Sequence, residues 1–218
     1  REVNARTKED TAALIAQGKK VVLLGGDHSC PLGYMEALAE KHGSFGILHI
    51  DAHADLRQAY EGFEYSHASI MYNALQLSQI SKLVQVGIRD VSPGEIDRTA
   101  GSEGRICLWD DYSTSRRLFG GDTWADICRE MADCLPEKVY VSFDIDGLDP
   151  SLCPGTGTPV PGGLSFAQAS YLLSCLKESG RKIIGADLCE VCPSSIDNEW
   201  DANVGARILY KLCSLLRN

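Results

Sequence analysis

Six short apolar runs punctuate the chain: VVLLGG from Val21, GILHID from Gly46, LVQVGI from Leu83, RICLWD from Arg105, KVYVSFDID from Lys138 and IIGADLCEV from Ile183. Their length and β-branched content read as buried strands. Between several of them lie stretches with helical spacing: Leu32 to His42, His67 to Gln79, Asp122 to Leu135 and Ser165 to Gly180. Two more stand at the ends, Thr7 to Gln17 and Val204 to Leu216. Strands that alternate with helices in this way pack as a parallel sheet covered by helices. The pattern predicts an α/β fold in a single domain over residues 1–218, without an internal repeat, low-complexity tract or linker.

Composition narrows the class of partner. The chain has 218 residues, enough to bury a full core, and a formal net charge of −9 without a Lys/Arg-rich run, which argues against nucleic acid. No apolar run reaches about 18 residues and the start, REVNARTKED, is polar, so neither a membrane span nor a signal peptide is expected. Nine cysteines, an odd number scattered through strand-like and helix-like stretches, suit reduced thiols and predict a cytoplasmic location. Glycine and proline gather in PGTGTPVPGG, Pro154 to Gly163, directly after a strand, which predicts an ordered loop framing a pocket.

In open parallel sheets ligands bind beyond the carboxyl ends of the strands, so the chemistry that follows each apolar run is informative. After VVLL comes Gly25-Gly26-Asp27-His28-Ser29; after GILHI comes Asp51-Ala52-His53-Ala54-Asp55; after VYVSF comes Asp144-Ile145-Asp146. Side chains alternate along an extended segment, so Asp51, His53 and Asp55 start on one side, and Asp144 and Asp146 likewise. Unpaired carboxylates crowded into one pocket repel one another and would take up protons unless cations neutralise them. Two divalent ions balance four such charges. Oxygen-rich ligation with two imidazoles and no thiolate favours a harder ion such as Mn²⁺ over structural zinc, and a pair of such ions activates water in hydrolases.

These three blocks, GGDHS, DAHAD and the long SFDIDGLDPSLCPGTGTPVPGGLS from Ser142 to Ser165, resemble the signatures of the ureohydrolase family, the arginases and agmatinases. The likeness runs from about Val21 to the C-terminus. It implies a three-layer α/β/α fold with a mainly parallel sheet and two Mn²⁺ per subunit. It further implies that His28, Asp51, Asp55 and Asp144 bind one ion, that Asp51, His53, Asp144 and Asp146 bind the other, and that Asp51 and Asp144 bridge. Water activated between the ions would attack a guanidinium carbon, Asp55 would handle the proton of the collapsing intermediate, and urea and an amine would leave. His67, in EYSHASIM, matches a proton-shuttling histidine, the other reading being a helix-start residue capped by Ser66. Glu190, in DLCEVCP, matches the carboxylate that grips the guanidinium, with Thr158 beside it. By the same likeness His49 stays outside the metal shell as a packed, hydrogen-bonded imidazole. His42 is read as a surface residue, and Cys189 and Cys192 as incidental thiols rather than a redox or zinc CxxC.

Agmatine is the first-choice substrate, because DAHADLR followed by YEGFEYSHAS looks like the bacterial agmatinase branch. Arg57, two places after DAHAD, opens the alternative of a guanidino acid, arginine or formimidoylglutamate if it faces the pocket, or a structural pairing with Glu61 or Glu64 if it does not. Another two-metal hydrolase and a catalytically silent scaffold are the remaining alternatives. The family's N-terminal strand and following loop take more than the 24 residues that precede GGDHS, so the reading expects that part to be missing here. The likeness also implies a homo-oligomer, trimer or hexamer.

Overall fold

A computed structural model describes residues 1–193 and 199–217. Among them, six strands form one wholly parallel sheet: β1 (Val22–Leu24), β2 (Phe45–Ile50), β3 (Ile80–Ile88), β4 (Ile106–Asp110), β5 (Lys138–Asp144) and β6 (Lys182–Cys189). Each coincides with one of the six apolar runs. The helices are α1 (Glu2–Ala16), α2 (Leu32–His42), α3 (Ile70–Ala74), α4 (Pro93–Ala100), α5 (Asp111–Phe119), α6 (Trp124–Asp133), α7 (Phe166–Glu178) and α8 (Trp200–Leu215).

The spatial order is β1-β6-β5-β2-β3-β4. From β2 the chain moves outward to β3, and from β5 it moves the other way to β6. Strands β2 and β5, neighbours in the sheet, therefore flank the point where the winding reverses, where crevices open at the carboxyl ends of an α/β sheet.

Helices cover both faces, giving three layers. On one side α2 and α3 pack Tyr34, Met35, Leu38, Ile70 and Met71 against Ile47, Leu83 and Tyr140. On the other, α6, α7 and α8 pack Met131, Leu172 and Ile208 against Leu48, Val84, Val141 and Phe143. Each fully buried Leu, Ile or Val contributes about 1.5–3 kcal/mol, so β2, β3 and β5 form the firm centre of the molecule. The two-residue alternation of strands then sorts their polar residues. Val139, Val141 and Phe143 face α6 to α8, which leaves Ser142 and Asp144 with Tyr140 on the α2 side; His49 likewise follows Ile47, and Gln85 follows Leu83. A polar stripe runs up the α2 face into the crevice.

One glycine is indispensable to that juxtaposition. A Cβ on Gly147 would lie 2.7 Å from the Asp51 nitrogen, so only glycine lets the turn after β5 close against the end of β2.

The helices differ from the pattern in instructive places. The His67 to Gln79 stretch is not one helix: a 3₁₀ turn at His67–Ser69 precedes the five-residue α3. The amides of Met71 and Tyr72 both donate to Asp55 O, at 3.1 and 3.0 Å, so a tertiary contact takes amides that helical periodicity would assign to the segment itself. Helices α4 and α5 are additional. Both are short and polar, and their starts are set by caps: Ser92 and Glu95 form a capping box on α4, and Asp110 accepts from the Ser113 amide on α5. Helix α1 begins at Glu2 rather than Thr7, and α8 at Trp200 rather than Val204. His42 is half-buried at the end of α2, where burial and nearby Lys138 lower its pKa, and so is not the free surface residue expected.

Candidate metal centre and cleft

The crevice is assembled from three strand ends. Asp51 directly follows β2, Asp144 ends β5, and His28 arrives on the loop after β1. The His28 Nδ1 lies 3.1 Å from Asp51 Oδ2, 3.2 Å from Asp144 Oδ2 and 3.4 Å from Asp55 Oδ2. The His53 Nδ1 lies 3.3 Å from Asp51 Oδ1 and 3.1 Å from Asp146 Oδ2. All six residues singled out as ligands thus come together, and all but His53 are buried.

The backbone does not reach this arrangement by simple alternation. After Ile50 the chain leaves the strand, and Asp55 sits in the left-handed region at φ 54. After Asp144 the chain enters a 3₁₀ turn over Ile145–Gly147, with Asp144 Oδ1 accepting from the Asp146 amide at 2.9 Å. Turn geometry, rather than strand alternation, brings these aspartates together. Left-handed φ values outside glycine are costly and gather at functional positions; Asp55 and Glu190, at φ 62, are two of the five in the chain's described part.

Electrostatics register the crowding. Burial, then the neighbouring Asp51 charge, pushes the Asp55 carboxyl up to about 6, and burial with Asp51 and Asp146 holds Asp144 well above the usual carboxylate range. Burial also penalises Asp51, yet the surrounding His49, His28 and His53 keep it well below that range. Against the cost of burial, the hydrogen bonds that His28 donates to Asp144, Asp51 and Asp55 hold it well above the imidazole range, and Asp146 with Asp51 raises His53 to about 11. Among the described residues three sets bring potential ligand atoms within 4.8 Å of one another: His28 with His49, Asp51 and Asp55; Asp51 with His53 and Asp146; and, behind His28, His28 with Asp187 and Cys189.

His49 belongs to the first set by distance, but its lone pair is engaged elsewhere. Its Nδ1 accepts from Gln85 Nε2 at 3.0 Å, and its Nε2 donates to Asp51 Oδ2 at 2.8 Å. Gln85 is fixed in turn by Ala54 O at 2.6 Å. Behind His28, Nε2 meets Ser142 Oγ at 2.9 Å, and Ser142 is the register partner of Asp187 on β6. Asp187 is fully buried with Oδ2 unpaired, and burial raises its pKa. Gln85, Ser142 and Asp187 were not anticipated. Each is a polar residue inside an apolar strand, the signal that could have found them.

A cleft of about 170 Å³ opens over these residues, lined by Asp27, His53, Asp55, His67, Asp144, Gly157, Thr158 and Glu190. Glu190 Oε1 accepts from the His28 amide at 2.7 Å. Thr158 Oγ1 donates to Asp146 Oδ2 at 3.2 Å, so it holds a carboxylate of the cluster as well as lining the cleft. His67 starts its turn without a side-chain cap, because Ser66 Oγ meets Ser69 Oγ at 3.3 Å instead. The PGTGTPVPGG loop is tied down by Arg89, whose guanidinium donates to Val160 O, Gly87 O, Asp146 O and Leu148 O at 2.8–3.1 Å. Cys189 is buried at the end of β6 while Cys192 is exposed.

Arg57 pairs with neither Glu61 nor Glu64. Its guanidinium lies over the Tyr60 ring, 5.1 Å from the centroid, with Nε 3.7 Å from Glu95 Oε2, while Glu64 meets Arg1 at 3.2 Å. Glu95 is the buried capping residue of α4 and offers Arg57 a fixed charge that the exposed glutamates do not.

The chain is similar to several known proteins. An N(1)-aminopropylagmatine ureohydrolase of Thermus thermophilus is 38% identical over 187 residues, covering 86% of this chain and 60% of that protein. The agmatinase of Chromobacterium violaceum is 35% identical over 222 residues, covering 96% of this chain and 62% of that protein. Arginase from Medicago truncatula has the same fold with a TM-score of 0.84 at 29% identity, over 98% of this chain and 65% of that chain. The chain spans about three fifths of the length of the curated relatives it matches. The model of the Arginase family matches residues 1–214, and the chain belongs to that family.

Proposed function

We propose that this chain is a binuclear metal-dependent hydrolase of a guanidino compound that releases urea, and that its substrate is agmatine, giving putrescine and urea for polyamine synthesis. The observation that carries the reading is the charge of the cleft. Of the acids that line it, Asp27 and Glu190 stand outside the proposed ligand set, so their charge is not cancelled by the cations that would neutralise Asp55 and Asp144, and no lysine or arginine lines it among the described residues. Such a field concentrates cations and repels a substrate carboxylate. Arg57 is drawn away to Tyr60 and Glu95, which speaks against a guanidino acid.

The donor set fits two hard divalent cations. His28, Asp51, Asp55 and Asp144 would hold one and Asp51, His53, Asp144 and Asp146 the other; four carboxylates and two imidazoles without a thiolate suit Mn²⁺. When bound, the pair would supply the acidity that makes water a nucleophile near neutral pH. His49 and Ser142 would orient Asp51 and His28 from behind. Glu190 would keep Oε1 on the His28 amide and offer Oε2 to the guanidinium, whose planar N–H fork suits a carboxylate. Thr158 would bound the same end of the cleft. As the carbon–nitrogen bond breaks, Asp55 would pass a proton from the attacking water to the amine nitrogen, and His67 would supply the second proton so that the product leaves as an ammonium.

The test is urea release by manganese-loaded protein from agmatine, N(1)-aminopropylagmatine, arginine and 4-guanidinobutyrate. The expected result is a kcat/KM for agmatine that exceeds the acids by about tenfold or more, equivalent to about 1.4 kcal/mol. Preference for an acid would overturn the substrate; no urea from any compound, with both ions bound, would overturn the hydrolase.

A further inference from the structure

Nothing in the 3₁₀ turn that carries His67 directs its ring, because Ser66 spends its hydroxyl on Ser69. The ring's partner comes from the loop after β1: Asp27 Oδ2 lies 3.2 Å from His67 Nδ1. Asp27 is itself held, with Oδ1 accepting from the Ser29 amide at 2.8 Å. On another side the Tyr60 ring stands edge-on, 5.7 Å from the imidazole at 64°, and restricts its rotation. Both Asp27 and His67 line the cleft. A carboxylate on Nδ1 makes that nitrogen the permanent N–H donor and leaves Nε2 to exchange a proton with the cleft's occupant.

We propose that Asp27 is a positioning residue for His67, fixing the tautomer and direction of its ring so that Nε2 delivers a proton to the departing amine nitrogen. The proton comes off Nε2–H as the amine becomes an ammonium, and Nε2 regains one from solvent before the next turnover. The inference rests on the ureohydrolase reading. The pair is then one unit joining the loop after β1 to the segment after Asp55, and Asp27 is more than an acidic neighbour of His28.

The variant Asp27→Asn keeps the side-chain volume and the acceptor for the Ser29 amide. In manganese-loaded protein it lowers kcat for agmatine by about 10- to 100-fold, with KM within about threefold and metal content unchanged. In a His67→Ala background the same change causes no further loss. An equal fractional loss in both backgrounds would mean that Asp27 acts through the His28 loop, and would overturn the proposal. A second readout needs no turnover: in ¹⁵N-histidine-labelled protein loaded with diamagnetic Mg²⁺, the His67 ring carries a hydrogen-bonded Nδ1–H signature that Asp27→Asn shifts. Ring signals unchanged by the substitution would overturn the pairing, even if the unmodified protein proved to release no urea, an outcome that would sink the hydrolase reading separately.

Discussion

The amide of His28 donates to Glu190 Oε1 at 2.7 Å, across 162 residues of sequence. A backbone group at one edge of the His/Asp cluster is thereby coupled to the side chain proposed to grip the substrate. The bond also decides which Glu190 oxygen remains for a ligand, and the Glu190 backbone, at φ 62 with its amide on Gly26 O at 2.8 Å, is held to match. Substrate and ions would be registered against each other by one carboxylate.

Glu190→Gln separates the two duties of that carboxylate. The glutamine carbonyl can still accept from His28, so metal content stays as it was. The charge that faces the guanidinium is gone, and kcat/KM for agmatine falls by about 100-fold, or about 2.7 kcal/mol. Steady-state kinetics with metal analysis checks this; a variant that loses metal in parallel with activity would show that Glu190 acts through His28 alone.

His28→Ala removes a donor that three aspartates share. Metal content drops to one ion or fewer per chain and urea production is lost, while the circular dichroism spectrum persists, because both apolar clusters stand without His28. Unchanged turnover would remove His28 from the site.

Protons and the proposed cations would compete for the same cluster, with a definite sign. His53 is raised in the metal-free fold to about 11, above its unfolded value of about 6.5. Its stabilising contribution is therefore complete below about pH 6.5 and is lost as pH rises toward 11. Asp55, raised to about 6 from about 3.9 unfolded, likewise favours the fold when protonated and costs stability as pH rises through 6. Bound cations replace these protons. The rise in Tm on adding Mn²⁺ is thus small at pH 5.5 and larger at pH 8, as measured by scanning fluorimetry; a shift independent of pH would mean that these two groups do not bind the ion.

How far the sequence revealed this protein depended on the range of the forces involved. The six strands and the clusters at Asp27-His28, Asp51 to Asp55 and Asp144 to Asp146 are local patterns, and local patterns are legible. The supporting residues are not. Gln85 matters because β3 lies beside β2 and brings it to His49, and Ser142 because β5 carries it to His28 on another loop. Arg57 illustrates the same limit: nearby Glu61 and Glu64 are plausible partners by sequence distance, but the buried Glu95 on the eight-residue α4 is the one it meets. Capping chemistry at Ser92-Pro93-Gly94-Glu95 was the available sign of that helix.

Arg89 tests the loop over the cleft. Its guanidinium serves four backbone carbonyls, and Gly163 keeps a positive φ with no room for a Cβ beside it, the nearest guanidinium atoms lying at 2.8 Å. Arg89→Met leaves those carbonyls short of donors and destabilises the fold by about 3 kcal/mol, which lowers Tm by about 6–12 °C for a chain of this size. Arg89→Lys recovers only part, since an ammonium cannot span the fork. Denaturant titration and proteolysis within residues 154–163 read the effect; a loop no more labile in Arg89→Met would assign its order to other contacts.

Arg57→Ala examines the charge argument behind the choice of substrate. With its guanidinium over Tyr60 and near Glu95, Arg57 is engaged away from the cleft, so its removal changes kcat/KM for agmatine by no more than about twofold. The ion pair is half-exposed at 3.7 Å and contributes under about 1 kcal/mol, and Glu95 keeps its bonds to the Leu56 and Ser92 amides. If Arg57 instead reached the substrate, its loss would relieve repulsion on agmatine's cationic tail and raise kcat/KM well above that bound, while any turnover of 4-guanidinobutyrate would fall. The two substrates moving in opposite directions would return the guanidino acid to first place; both staying level leaves the acidic cleft as the determinant of specificity.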